Sequence, residues 1–281
     1  MFIGFDKLIG ITEGGAVMLT TICVAFTIVF MSVEYLYLIY KRRFSRDTFF
    51  SWEISGAGEG WLYSGWRARI LNYIFDGNKF TSIIILRLLL AVLVMIISEN
   101  RLLISGCLFM LFFISCLLNL RHTHGRDGAD EVILIALLGL ASYYVIDKTS
   151  ILRWVGPGFI VAQLTLSYFI SGIYKLKSGT WRNGSAVNKV IATVIYGKPE
   201  MQFVLKYKPT ALFLCWLIII WECTFPMLFL FPQPVCFIWL GLGVLFHLSM
   251  AVIMGLNTFM FAFLSAYPLF FLLLSKIRFP I

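Results

Sequence analysis

Apolar runs separated by short polar corners recur along the whole chain. They lie at about 16–40, 81–98, 102–120, 131–146, 157–176, 211–231, 235–254 and 258–274. At ~1.5 Å per helical residue, such runs cross most or all of a hydrocarbon layer ~30 Å thick. Inside that layer a single segment has to satisfy its own backbone hydrogen bonds, so each run predicts an α-helix. The pattern therefore predicts an all-α, polytopic transmembrane helix bundle of about eight spans, forming one membrane domain over 1–281. The turn between the second and third runs is only a few residues long, which makes those two helices antiparallel neighbours.

The polar stretches refine the picture. Residues 41–80 are basic and glycine-rich, with Trp52, Trp61, Tyr63 and Trp66 interleaved. Aromatics of that kind favour the membrane–water interface, and 61–75 predicts an in-plane amphipathic piece. Residues 119–130 form a dense polar corner in which Asp127 or Asp130 caps the fourth span. Residues 177–210 are polar, with a weak apolar run at 187–195 that predicts a surface helix.

Composition agrees with the pattern. Hydrophobic residues make up 60% of the chain, and the mean hydropathy is +0.90. These values exclude a soluble domain and make the lipid bilayer the first partner. The net charge of +9 comes without any basic helix or nucleic-acid motif, so no nucleic-acid partner is expected. Loops 41–80, 121–129 and 177–210 hold fifteen Lys and Arg residues, against six on the other side. The positive-inside rule places the richer side in the cytoplasm. The first apolar run is too long for a signal-peptide core and lacks a basic lead. All six cysteines lie in apolar segments without a CxxC pair, and read as small buried apolar residues.

Chemistry is sought among intramembrane ionisable groups, which are costly and mark sites or internal pairs. Lys175, Glu222, His247 and Arg87 qualify. Gln163, Ser167, Ser171 and Lys175 stand at steps of four, a spacing that predicts one polar helix face. A desolvated lysine can act as a base, and a histidine can serve a developing oxyanion. The alternatives stay open: Lys175 as a snorkelling interfacial lysine, His247 as an interhelical hydrogen-bond group, Glu222 as a structural counter-ion. His122 and His124 are too few ligands for a metal, and none is expected.

These residues also carry a family likeness. Tyr168, Gly172, Lys175 and Leu176, followed by Trp181 and Gly184, resemble the "YFxxGxxKL…W…G" signature of the HTTM family, the membrane-domain superfamily that contains vitamin K-dependent gamma-carboxylase. Three more segments look similar, in the expected order. The corner from His122 to Asp130 resembles the family's polar corner, with Gly-Ala-Asp where many members have Gly-Gly-Asp. Glu222 to Pro226 resembles the acid-then-"FP" element. Phe246-His247 to Gly255, then Phe259 to Phe263, resembles the "FH…GxF" helix pair.

The resemblance implies that Lys175, at the second lysine of the carboxylase's "GxKKL", is the base toward a reduced quinone cofactor, with Tyr174 where the carboxylase has the first lysine. It implies that His247 and His122 or His124 assist proton or oxyanion handling. Gln163, Ser167, Ser171, Glu222 and Trp181 would line the substrate or cofactor pocket. The chain has no large region after its last span, so the likeness does not extend to glutamate carboxylation. In size it is closer to bacterial members of the sporulation-delaying-protein B kind, linked to maturation of secreted peptide toxins. That implies a peptide or protein substrate and a bacterial cytoplasmic membrane. A non-catalytic accessory, assembly or transport protein of a peptide-export system is the competing expectation.

Overall fold

The computed structural model describes residues 12–45, 48, 50–55, 63–75, 77–97, 99–121, 128–193 and 207–278, and the described residues contain no strand. In chain order the helices are α1 (Glu13–Tyr40), α2 (Gly65–Phe75), α3 (Gly77–Ile96), α4 (Arg101–Arg121), α5 (Ala129–Val145), α6 (Val155–Lys177), α7 (Ser185–Ile191), α8 (Lys208–Thr224), α9 (Gln233–Met254), α10 (Asn257–Ser265) and α11 (Tyr267–Arg278). One-turn helices stand at Trp52–Ser55 and Gly179–Arg182, and 3₁₀ turns at Ile151–Trp154 and Phe225–Phe229.

Among the described residues seven stretches are long and apolar enough to span a membrane: Glu13–Tyr40, Gly77–Ile96, Arg101–Arg121, Ile151–Lys177, Lys208–Phe229, Pro234–Met254 and Asn257–Lys276. The eighth expected span is α5, which has 17 residues and lies at the short end of what a span requires. The protein is an all-α, membrane-spanning helix bundle, as the apolar pattern predicts.

Two boundaries differ from the sequence reading for a physical reason. The last span is not one helix: it breaks at Ala266, between α10 and α11. Pro268 follows, and a proline has no N–H for the helical ladder and crowds the residue before it. The cap of α5 is not an aspartate. Gly128 occupies the N-cap with φ 90°, while Asp130 sits in the first turn, where an acid favours the positive end of the helix dipole. Asp127 lies outside the described residues. The amphipathic piece expected at 61–75 is α2, and the weak run at 187–195 is α7.

The chain divides into two compact units, Val17–Pro157, and Gly158–Ile281 together with the start of α1. In the first unit α4 and α5 form an antiparallel hairpin. Arg101 NH2 donates to the carbonyls of Tyr143 at 2.7 Å and Ile146 at 3.0 Å, and its Nε donates to Tyr144 at 3.3 Å. One guanidinium thus closes the last turn of α5, where the carbonyls lack intrahelical donors and the dipole favours a cation. Ser105 Oγ donates to the Ala141 carbonyl at 2.8 Å deeper in the same hairpin. In the turn after α5, hydrogen bonds from the Thr149 hydroxyl and backbone N–H hold the exposed Asp147 carboxyl below its usual range.

The second unit packs α6, α8, α9, α10 and α11 around aromatic side chains. Tyr168, Trp221, Phe225, Phe263 and Phe270 are buried there and meet edge-on or tilted. It also holds an ion pair between Lys276 on α11 and Glu13 at the start of α1.

Candidate functional site

The inward face of α6 is set by Val161, Leu164, Tyr168 and Gly172, all buried, with Lys175 one turn further on. Those spacings of three and four follow the 3.6-residue period. The expected stripe at steps of four does not stay on one face. Each such step advances ~40° around the helix, so Gln163 and Lys175 end ~120° apart. Ser167 is exposed, and its hydroxyl donates back to the Gln163 carbonyl of its own helix at 2.8 Å. Gln163 is half-buried. Ser171 and Lys175, the end of the stripe, are the members that engage another helix.

Lys175 Nζ donates to both oxygens of Glu222 on α8, at 2.6 and 2.8 Å, and to Ser171 Oγ at 2.5 Å. Ser171 Oγ in turn donates to Glu222 Oε1 at 3.4 Å. The lysine side chain is 16% exposed and the glutamate 3%. A buried carboxylate costs several kcal/mol unless paired and hydrogen-bonded, and here it accepts from two groups. The ammonium also stands 5.2 Å from the ring centroid of Trp181, within cation–π range. Trp181 belongs to the one-turn helix after α6, whose Arg182 carbonyl accepts from Trp216 Nε1 of α8 at 3.2 Å.

A glycine makes the pairing possible. A Cβ on Gly172 would lie 2.7 Å from the backbone nitrogen of Cys223 and 2.9 Å from Glu222 Cβ. No larger residue permits α6 and α8 to approach so closely, and at that approach Lys175 reaches a carboxylate on the facing helix.

About two helix turns before Lys175, the Tyr168 hydroxyl lies 2.7 Å from Nε2 of His247 on α9. His247 is fully buried. Its ring lies against Phe246, Phe259 and Phe263, at centroid distances of 5.2, 5.4 and 4.9 Å. Its Nδ1 has no hydrogen-bond partner. A neutral imidazole that accepts from Tyr168 at Nε2 carries its proton on Nδ1, and one that donates there presents a bare lone pair; either way an orphan polar atom sits among phenyl rings.

The structure thus joins Lys175, Ser171, Glu222 and Trp181, and pairs His247 with Tyr168. It leaves Ser167 out. His122 and His124 lie outside the described residues. Tyr168 is the group that sequence reasoning passed over as a site residue. Its signal was present, because it stands seven residues before Lys175 on the same helical face.

Comparison of the chain with protein-family models, with curated proteins and with solved structures finds no match.

Proposed function

We propose that the protein is an integral membrane enzyme in which Lys175 acts as a general base, with Glu222 as the group that takes the lysine's proton. The observation that carries this reading is the direct contact of Lys175 Nζ with both Glu222 oxygens, at 2.6 and 2.8 Å, in a buried setting. Moving one proton from Nζ to a carboxylate oxygen removes both charges from the apolar layer and leaves an uncharged amine. That amine is the species able to abstract a proton. Ser171 keeps a hydrogen bond to Nζ and holds it in place.

The substrate class in this reading is a quinone-like or other lipidic compound, or a peptide presented at the membrane, in line with the likeness to the HTTM family and to peptide maturation. The surroundings of His247 suit the first class. Its unpartnered Nδ1 and the Phe246, Phe259 and Phe263 rings match a planar ring carrying a hydroxyl group. A reduced quinone would supply an acidic hydroxyl for the lysine to deprotonate.

The reading is tested by mixing the protein in lipid nanodiscs, without oxygen, with reduced menadione and recording the absorption of the hydroquinone anion. Wild type is expected to stabilise the anion near neutral pH. Lys175→Gln and Lys175→Arg are expected to lose it, since neither side chain can supply a neutral amine. Retention of the anion signal in both variants ends the base assignment.

One observation favours a second reading. The ammonium of Lys175 is fully used by Glu222 and Ser171, as in an interhelical brace. In that reading the protein is a non-catalytic membrane accessory, assembly or transport component of a peptide-export system. The double variant Lys175→Met with Glu222→Met separates the two. A brace tolerates an apolar replacement of both partners; a base does not.

A further inference from the structure

Two guanidinium groups in the Val17–Pro157 unit are buried with unpartnered N–H donors. Arg87, midway along α3, is 2% exposed. Its one contact at hydrogen-bonding range is from NH2 to the thioether sulfur of Met31 on α1, at 3.7 Å, and its Nε and NH1 have no partner. Arg121, the last residue of α4, is also 2% exposed. It is caged by rings, with centroids of Phe80 at 4.3 Å, Phe44 at 5.1 Å, Phe75 at 5.7 Å and Trp52 at 5.9 Å. Its NH2 donates to the Phe50 carbonyl at 3.4 Å, while Nε and NH1 have no partner. No carboxylate of the described residues lies within ion-pair distance of either arginine.

The same unit holds a third orphan. Ser115 on α4 is buried, and its hydroxyl is unpartnered. It stands six residues before Arg121, ~9 Å along the helix. Arg87 stands seven residues past Phe80, the ring nearest Arg121, ~10 Å along the antiparallel α3. Tyr35 on α1 and Asp130 at the start of α5 are within electrostatic reach of Arg87, and Tyr35 is also within reach of Arg121.

A serine hydroxyl or one stray N–H is tolerable. Two buried cations and five unpartnered polar atoms in one unit are not, because buried charge that lacks hydrogen-bonding partners is costly. Rings relieve part of the cost at Arg121. At Arg87 the hydrogen-bonding partner is a soft sulfur, a poor acceptor, and the charge of Asp130 acts only at longer range.

We propose that this interior binds a phosphate group, centred on Arg87 and Ser115, with Arg121 at the outer end. A single carboxylate cancels one of the two charges. A phosphate carries enough negative charge to offset both cations, and enough oxygens to engage the Arg87 guanidinium and the Ser115 hydroxyl. The group arrives either on a lipid headgroup or as free phosphate, and the same N–H donors serve both. The site lies apart in sequence from Lys175 and Glu222 and does not depend on the role assigned to them.

Thermal unfolding of the detergent-purified protein tests the proposal. One arm compares sodium phosphate with sodium chloride at equal ionic strength. The other compares added phosphatidylglycerol with phosphatidylcholine. Stabilisation in the first arm identifies free phosphate, and in the second a lipid phosphate. Arg87→Gln is expected to weaken the half-saturating concentration on the order of a hundredfold, and Ser115→Ala about tenfold. Arg69→Gln, an exposed arginine of α2, is expected to match wild type. If Arg87→Gln does not yield folded protein, Arg87→Lys takes its place, with about a tenfold weakening expected. Absence of stabilisation in both arms overturns the proposal, as does a response of the Arg87 and Ser115 variants equal to that of Arg69→Gln.

Discussion

The Tyr168 hydroxyl and Nε2 of His247 are 2.7 Å apart in the interior of the second unit, one on α6 and the other on α9. Each is the other's interhelical partner at hydrogen-bond distance. Tyr168→Phe removes the hydroxyl and leaves both imidazole nitrogens buried and unpaired. Losing one partner of a buried hydrogen bond costs about 1–3 kcal/mol. A lowered midpoint of thermal unfolding in detergent is the expected result; a wild-type midpoint means the pair contributes nothing to stability.

Gly172 sets the distance between α6 and α8. Gly172→Val places methyl groups where Cys223 and Glu222 already lie, 2.7–2.9 Å from the position of the new Cβ. Overpacking of this kind costs about 1–3 kcal/mol, and relief by separating the helices pulls Lys175 away from Glu222. The measurement is amine accessibility. Lys175 in the variant is expected to react with a water-soluble acylating reagent faster than in wild type, as read by peptide mass mapping.

Lys175 and Glu222 form one unit energetically. Removing either alone strands a buried charge, at about 3–5 kcal/mol. Removing both as Lys175→Met with Glu222→Met costs far less than the sum. A double-mutant cycle on unfolding free energy is expected to show a coupling well above the ~0.5 kcal/mol scatter of independent sites. Additive effects contradict the contact itself.

Arg101 closes the end of α5 with three hydrogen bonds to carbonyls. Arg101→Met keeps much of the stem's apolar contact and deletes every donor. The last turn of α5 is expected to fray, with faster amide hydrogen exchange at 143–146 and a stability loss of about 1–3 kcal/mol. Exchange at the start of α5 serves as the internal control and is expected to stay unchanged.

Much of the fold was legible because a bilayer leaves a segment few options: an apolar run of sufficient length becomes a helix. Details set by single residues were harder to read. The break at Ala266 was signalled by Pro268, yet hydropathy averaged across it. The site was legible in part. Ser171 and Lys175 were visible as polar residues at the end of one helix, and Trp181 as an aromatic residue in the polar corner after it. Glu222 was visible as an acid in an apolar run. That Lys175 pairs with Glu222 was not readable, because no periodicity links positions on separate helices. The four-step stripe misled because a step of four overshoots a helical turn. Pairing of Tyr168 with His247 was hidden for the same reason as the ion pair.

The ion pair between Glu13 and Lys276 bears on how the protein is made. The Val17–Pro157 unit is one unbroken stretch of chain and can complete its contacts while later segments are still on the ribosome. The other unit combines the beginning of α1 with residues made after position 157. Its closing contact joins Glu13 to Lys276, the most non-local kind of contact and the slowest to form. Substitutions that delay insertion of α11 are therefore expected to leave that closing contact unmade and to raise proteolysis within the Gly158–Ile281 unit, while leaving the Val17–Pro157 unit intact.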